Sequence, residues 1–222
     1  MDSILHQRYI NYSCNFSYGL YELSLRKDDK IITISSNRPE WNFCDMGMAM
    51  IGVIHVPVFT SLSVSDSEYI ISNSGAKIYL VSEKRLLKYF SKAANFDPAN
   101  VYTFDKIEGF NSWKEIVSKG ENSPPGTRSE VKKIMEQIKH EDIATLIYTS
   151  GTTGRSKGVM LSHRNLVSNF LATADVFKLK PEDKSCRYVM LAAGLGITRP
   201  NIQEPGFITR KIWVLSPQIC RK

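Results

Sequence analysis

Short apolar runs rich in β-branched residues recur along the chain, and the segments between them carry helix signals. This alternation constrains the fold more than any other feature. The runs cover 31–35, 53–59, 78–81, 101–104 and 143–148, too short for helices, and read as strands. Residues 1–30 read as helical in part. Asn37-Arg38-Pro39-Glu40 opens a helix, with Pro39 at a tolerated first-turn position. Trp41, Cys44, Met48 and Ile51 share one of its faces, and Gly52 closes it. Ser65-x-x-Glu68 reads as a capping box ahead of Tyr69-Ile70-Ile71, and Gly75 stands where a C-terminal cap belongs. A helix is expected over 83–94. Ser112-x-x-Glu115 caps a short helix around Trp113 and Ile116, and 120–126, with Pro124-Pro125, reads as a loop. Thr127-x-x-Glu130 caps a helix with Val131, Ile134, Met135 and Ile138 on one face. Ser162 is the expected N-cap of a helix running to Phe177, with Leu166, Phe170 and Leu171 buried. Strands alternating with helices predict an α/β fold, a largely parallel sheet with flanking helices.

Composition agrees with a soluble globular domain: 222 residues, 42% hydrophobic and 23% charged. Cys14, Cys44, Cys186 and Cys220 are widely spaced and form no Cys-x-x-Cys pair. Without a secretory signal at the N-terminus they read as free thiols in a reducing, cytoplasmic setting. A net charge of +7 suggests nucleic acid until its distribution is followed. From Cys186 to Lys222 six basic residues stand against one acid, so five of the seven net charges fall there. The preceding body is nearly balanced, which argues against a nucleic-acid partner. Residues 46–64 carry no Asp, Glu, Lys or Arg. His55, Pro57, Thr60, Ser61 and Ser63 make this window the end of a helix followed by a buried strand, not a membrane span.

The run at 143–148 ends abruptly in Thr149-Ser150-Gly151-Thr152-Thr153-Gly154-Arg155-Ser156-Lys157-Gly158. Eight of these ten residues are Gly, Ser or Thr, and a second apolar run, Val159 to Leu161, follows at once. A Ser/Gly linker is seldom framed by apolar runs with a basic residue at its end. Gly151, Gly154 and Gly158 permit backbone conformations that a side chain forbids. Successive backbone N–H groups can then face one concavity and bind an anion. The hydroxyls of Thr149, Ser150, Thr152 and Thr153 add short donors, and Lys157 adds positive charge. The ligand this chemistry suits is a polyphosphate. The segment is not a P-loop, because Ser156 occupies the place of the second Gly, and Gly-x-Gly-x-x-Gly is absent from it.

Leu146 to Gly158 resembles, position by position, the signature of the AMP-forming adenylating enzymes. Further likeness lies in Tyr18 to Leu23, Ile31 to Trp41, Gly52 to Leu62 with Val56-Pro57, Ser65 to Val81, and Ser162 to Leu166. Over 15–185 the chain is most similar to the long-chain fatty-acid–CoA ligase branch. The resemblance implies the N-terminal part of the adenylate-forming fold. It implies that ATP and a long-chain fatty acid give an acyl-adenylate and diphosphate, which CoA converts to acyl-CoA and AMP. It implies ATP, Mg²⁺ and CoA as cofactors and small molecules as partners. The nucleotide site would comprise Thr149, Ser150, Gly151, Thr152, Thr153, Gly154, Lys157 and Gly158, with Thr152 and Thr153 donating hydroxyls and Lys157 pairing with phosphate. Peripheral membrane contact would suit an insoluble acyl substrate. His163 is read as a surface histidine at a helix start, His55 as a satisfied core residue, and Met46, Met48 and Met50 as core filling.

Past Lys184-Ser185 the resemblance ends. The expected organisation is a partial AMP-binding domain at 1–185 and a basic tail at 186–222. Adenine-binding, ribose-binding and acidic magnesium-binding segments are absent, as is the domain with the family's catalytic lysine, so an interior piece of a larger enzyme is expected. Two origins for the tail stay open. One is a frameshift, because Ser185 to Met190 read one frame over can spell a family-like Leu-Pro-Leu-Cys-His. The other is a distinct element at 189–200, similar to a loop of sugar nucleotidyltransferases but interrupted by Ile197. The competing functional reading is a non-catalytic nucleotide- or phosphate-binding remnant.

Overall fold

A computed structural model describes residues 2–90, 97–149 and 156–176. Helix α1 (Asp2–Glu22) leads into strand β1 (Lys30–Ile34), helix α2 (Pro39–Met50) and strand β2 (Ile54–Val58). Helix α3 (Val64–Ser74), strand β3 (Ile78–Val81) and a 3-10 helix (Lys84–Phe90) follow. Strands β4 (Val101–Thr103) and β5 (Asn111–Ser112) precede helices α4 (Trp113–Glu121) and α5 (Pro125–Gln137). Strands β6 (Ile143–Thr149) and β7 (Lys157–Ser162) lead to helix α6 (His163–Val176).

The described strands form one sheet in the order β5-β4-β3-β1-β2-β6-β7. All neighbours are parallel except β6 and β7, which pair antiparallel as a hairpin. Parallel strands are buried on both faces, and β2 and β3 are buried at every position. Side chains alternate between two cores. Ile31 joins Phe16, Leu20, Cys44, Met48, Trp113, Ile116 and Val131 beneath α1, α2, α4 and α5. Ile32 and Ile34 join Val56, Val58, Ile70, Ile71, Leu86 and Phe90 beneath α3 and the 3-10 helix. Cys14 and Cys44 form no disulfide among the described residues, as expected; Cys186 and Cys220 lie outside the described residues.

Some local signals form as read. Ser112 and Glu115 make the reciprocal capping box of α4, and Gly75 closes α3 in the left-handed conformation at φ 67°. Others do not. The N-cap of α3 is Ser63, whose Oγ accepts from the Asp66 N–H at 3.1 Å, not Ser65. Helix α5 starts at Pro125, ahead of the expected Thr127 cap, and the Thr127 hydroxyl donates to the Glu22 carboxylate on α1. The expected helix over 83–94 is a 3-10 helix as far as Phe90, and 91–96 lie outside the described residues. The expected loop over 120–126 is shorter, since α4 runs to Glu121. Leu171 is 55% exposed instead of buried.

Helices α1 and α4 meet backbone to backbone. A Cβ at Gly120 would lie 1.8 Å from the Asn15 carbonyl oxygen, and one at Gly19 would lie 1.9 Å from that of Ile116. Glycine is therefore required on both sides of this crossing.

Candidate functional site

Strand β6 runs parallel to β1, β2 and β3, so Thr149 stands at the carboxyl edge of the sheet, where ligands bind in such folds. Thr149 and Lys157 are register partners at the loop end of the β6–β7 hairpin. Both are exposed. Among the described residues no carboxylate pairs with Lys157. A hydroxyl and an ammonium thus flank the two points at which the glycine-rich segment leaves and rejoins the sheet. Ser150, Gly151, Thr152, Thr153 and Gly154 lie outside the described residues.

Gly158 sits within β7, paired with Tyr148. A Cβ there would come 2.9 Å from Leu146 Cδ1 and 3.4 Å from Tyr148 Cζ. Packing over these two side chains is a reason for glycine at 158 that its place in the loop motif does not reveal. Tyr148 is buried, and its hydroxyl donates to Asn73 Oδ1 on α3 at 2.7 Å. Burial, with the nearby Tyr69, pushes the Tyr148 phenol above its ordinary value. Tyr69 meets the Tyr148 ring edge-on, with centroids 6.5 Å apart.

His55 is the satisfied core residue expected. It is 2% exposed, with Nδ1 2.7 Å from Asp45 Oδ1 and Nε2 2.9 Å from Thr33 Oγ1. Both ring nitrogens therefore have a hydrogen-bond partner. His163 differs from its expectation as a surface residue. Its Nε2 is buried without a hydrogen-bond partner, while its backbone N–H donates to the Asp142 carbonyl at 3.1 Å. Burial holds the ring below its ordinary value, against the opposing pull of Asp142 and Asp45.

Sequence reasoning missed a polar cluster at the carboxyl ends of β1 and β3. Arg38 binds Asp105 at 2.6 Å and Glu40 at 3.0 Å, and Glu83 accepts from Ser36 Oγ and Arg85, each at 2.6 Å. The Ser36 bond, aided by Arg85, holds the Glu83 carboxyl below its ordinary range. The charges of this cluster satisfy one another. Its members lie far apart in sequence, so no local motif marks it.

The chain matches the AMP-binding enzyme family over residues 6–199. The chain belongs to that family. Fatty acyl-CoA synthetase A of Dictyostelium discoideum is 32% identical over 191 residues, which are 80% of this chain and 27% of that protein. The long-chain-fatty-acid–CoA ligase ACSBG2 of Gallus gallus is 32% identical over 159 residues, 68% of this chain and 20% of that protein. This AMP-binding chain therefore spans only about a quarter of the length of these relatives. The crystal structure of ATP-bound MatB from Rhodopseudomonas palustris superposes with a TM-score of 0.68 at 23% identity, covering 85% of this chain and 35% of that one. That likeness bears on the fold, which is the N-terminal architecture of adenylate-forming enzymes.

Proposed function

We propose that this AMP-binding chain serves long-chain fatty-acid activation. ATP and the fatty acid give an acyl-adenylate and diphosphate, and CoA thiol then displaces AMP to give acyl-CoA. The observation that carries the reading is the pairing of Thr149 with Lys157 at the exposed carboxyl edge, astride the glycine-rich segment. The similarity to two fatty-acyl ligases supports the choice of substrate class. In the first step a carboxylate must approach a polyanion, so neutralising phosphate charge lowers the barrier. Lys157 supplies a point charge there, and the Thr149 hydroxyl a donor. Ser150, Gly151, Thr152, Thr153, Gly154 and Gly158 complete the proposed cradle. Mg²⁺ would come with the nucleotide and would add to the neutralisation of phosphate charge that Lys157 supplies. Among the described residues no cluster of His, Cys, Asp or Glu is placed to hold a metal. Nor is any described helix long and apolar enough to cross a membrane. A cytoplasmic protein with peripheral membrane contact is the setting we propose.

Calorimetric titration of the 222-residue chain with MgATP tests the site. Hydrogen bonds to charged groups are worth about 1.5–3 kcal/mol, so Lys157→Ala should weaken binding roughly tenfold or more. Equal affinity in the variant would overturn the assignment. Diphosphate release with palmitate separates a working ligase from a chain that binds nucleotide without turnover.

A further inference from the structure

Strand β6 pairs with the parallel ladder at one register position, His55↔Thr145, where the Thr145 hydroxyl also donates to the His55 carbonyl at 2.8 Å. Among the described residues, β6 beyond Thr145 pairs in the sheet only with β7, its own hairpin partner. The hairpin end bearing Thr149 and Lys157 is therefore not held by the ladder. Among the described residues, a hydrogen bond from the Tyr148 hydroxyl to Asn73 Oδ1 at 2.7 Å ties it to α3. It joins the residue immediately before Thr149 to the last turn of α3. The Tyr148 ring is trapped from the other side as well. Gly158, its register partner, leaves room for the ring where any Cβ would press on it and on Leu146. Tyr69, also on α3, closes against the ring edge.

We propose that Tyr148, held by Asn73 and accommodated by Gly158, is a positioning residue that fixes the loop end of the hairpin relative to α3. Its hydroxyl sets where the Thr149 hydroxyl and the Lys157 ammonium stand. The role in nucleotide binding rests on the function proposed above; the mechanical role does not. A buried phenol whose acceptor is removed keeps its apolar packing but loses the directional contact, so the strand end is freed while the core remains filled.

Two measurements on the 222-residue chain test this. Amide hydrogen exchange in Tyr148→Phe and Asn73→Leu should speed up about tenfold at Thr149 and Gly158, with the amides of β1 unchanged. Asn73→Asp, which keeps an acceptor oxygen, should restore the slow exchange. MgATP titration should show a several-fold weaker Kd in the first two variants and a near-normal Kd in Asn73→Asp. Exchange at the strand end no faster in Tyr148→Phe than in the parent overturns the positioning role, whatever the nucleotide does. Faster exchange with MgATP bound by neither parent nor variants keeps the positioning role and overturns the nucleotide reading. Faster exchange with unchanged Kd separates the hairpin end from ligand affinity and overturns the link between them.

Discussion

His163 carries a buried ring nitrogen with no hydrogen-bond partner, and this makes stability depend on pH. Burial lowers its folded value below the ordinary 6.5, so the unfolded chain takes up the proton first as pH falls. Stability is full above about 6.5 and declines below it, until the folded ring is protonated too. The Asp142 and Glu83 carboxyls are also held below their ordinary values, but those titrate in a more acidic range. Urea midpoints at pH 7.5 and 5.5 should therefore fall further for the parent than for His163→Asn. Matching falls would remove the histidine from the explanation. The residue's surroundings explain why its sequence context misleads. A histidine at a helix start is ordinarily solvated, yet here the first turn of α6 packs on the segment before β6, with the Arg164 N–H donating to the His140 carbonyl. His55 could be read correctly because an apolar strand on both sides forces its burial, and burial forces partners.

At the scale of elements, glycine decides how closely two helices approach. Gly120 was legible only as a turn signal, since nothing local announces the Asn15 carbonyl packed against it. Backbone cannot yield as a side-chain tip can, so Gly120→Ala should cost about 3 kcal/mol, at the upper end for overpacking. The thermal midpoint should drop accordingly while much of the helical circular dichroism persists. An unaltered midpoint would mean that the two helices tolerate separation. The capping signals show a different limit. Ser63-x-x-Asp66 and Ser65-x-x-Glu68 are overlapping patterns of nearly equal local merit, and the structure uses the first. The Ser112 box had no such rival and was plain from its spacing. At the loop, residue type alone put Thr149 and Lys157 forward as candidates, whereas the partnership of Tyr148 with Asn73 spans 75 positions and has no local trace.

Across the whole molecule, the parallel α/β architecture followed from alternation, but strand order did not, because short apolar runs look alike. The antiparallel β7 at the sheet's end leaves an unpaired edge among the described strands, with Val159 42% and Met160 65% exposed. An apolar edge of this kind templates pairing with another chain. Met160→Lys should leave the urea midpoint within about 0.5 kcal/mol of the parent, as for most surface substitutions. It should also reduce concentration-dependent association in sedimentation velocity. Association that persists unchanged would place the contact elsewhere.

The single register pair between β2 and β6 bears on the order in which the chain assembles. Joining His55 to Thr145 closes a loop of 90 residues for little immediate return, whereas β1, β2 and β3 find one another over shorter separations. We expect the central strands to form a nucleus first and the hairpin to dock last. Pulse-labelled refolding should then protect Ile32 and Val56 before Thr145, and simultaneous protection would contradict that order.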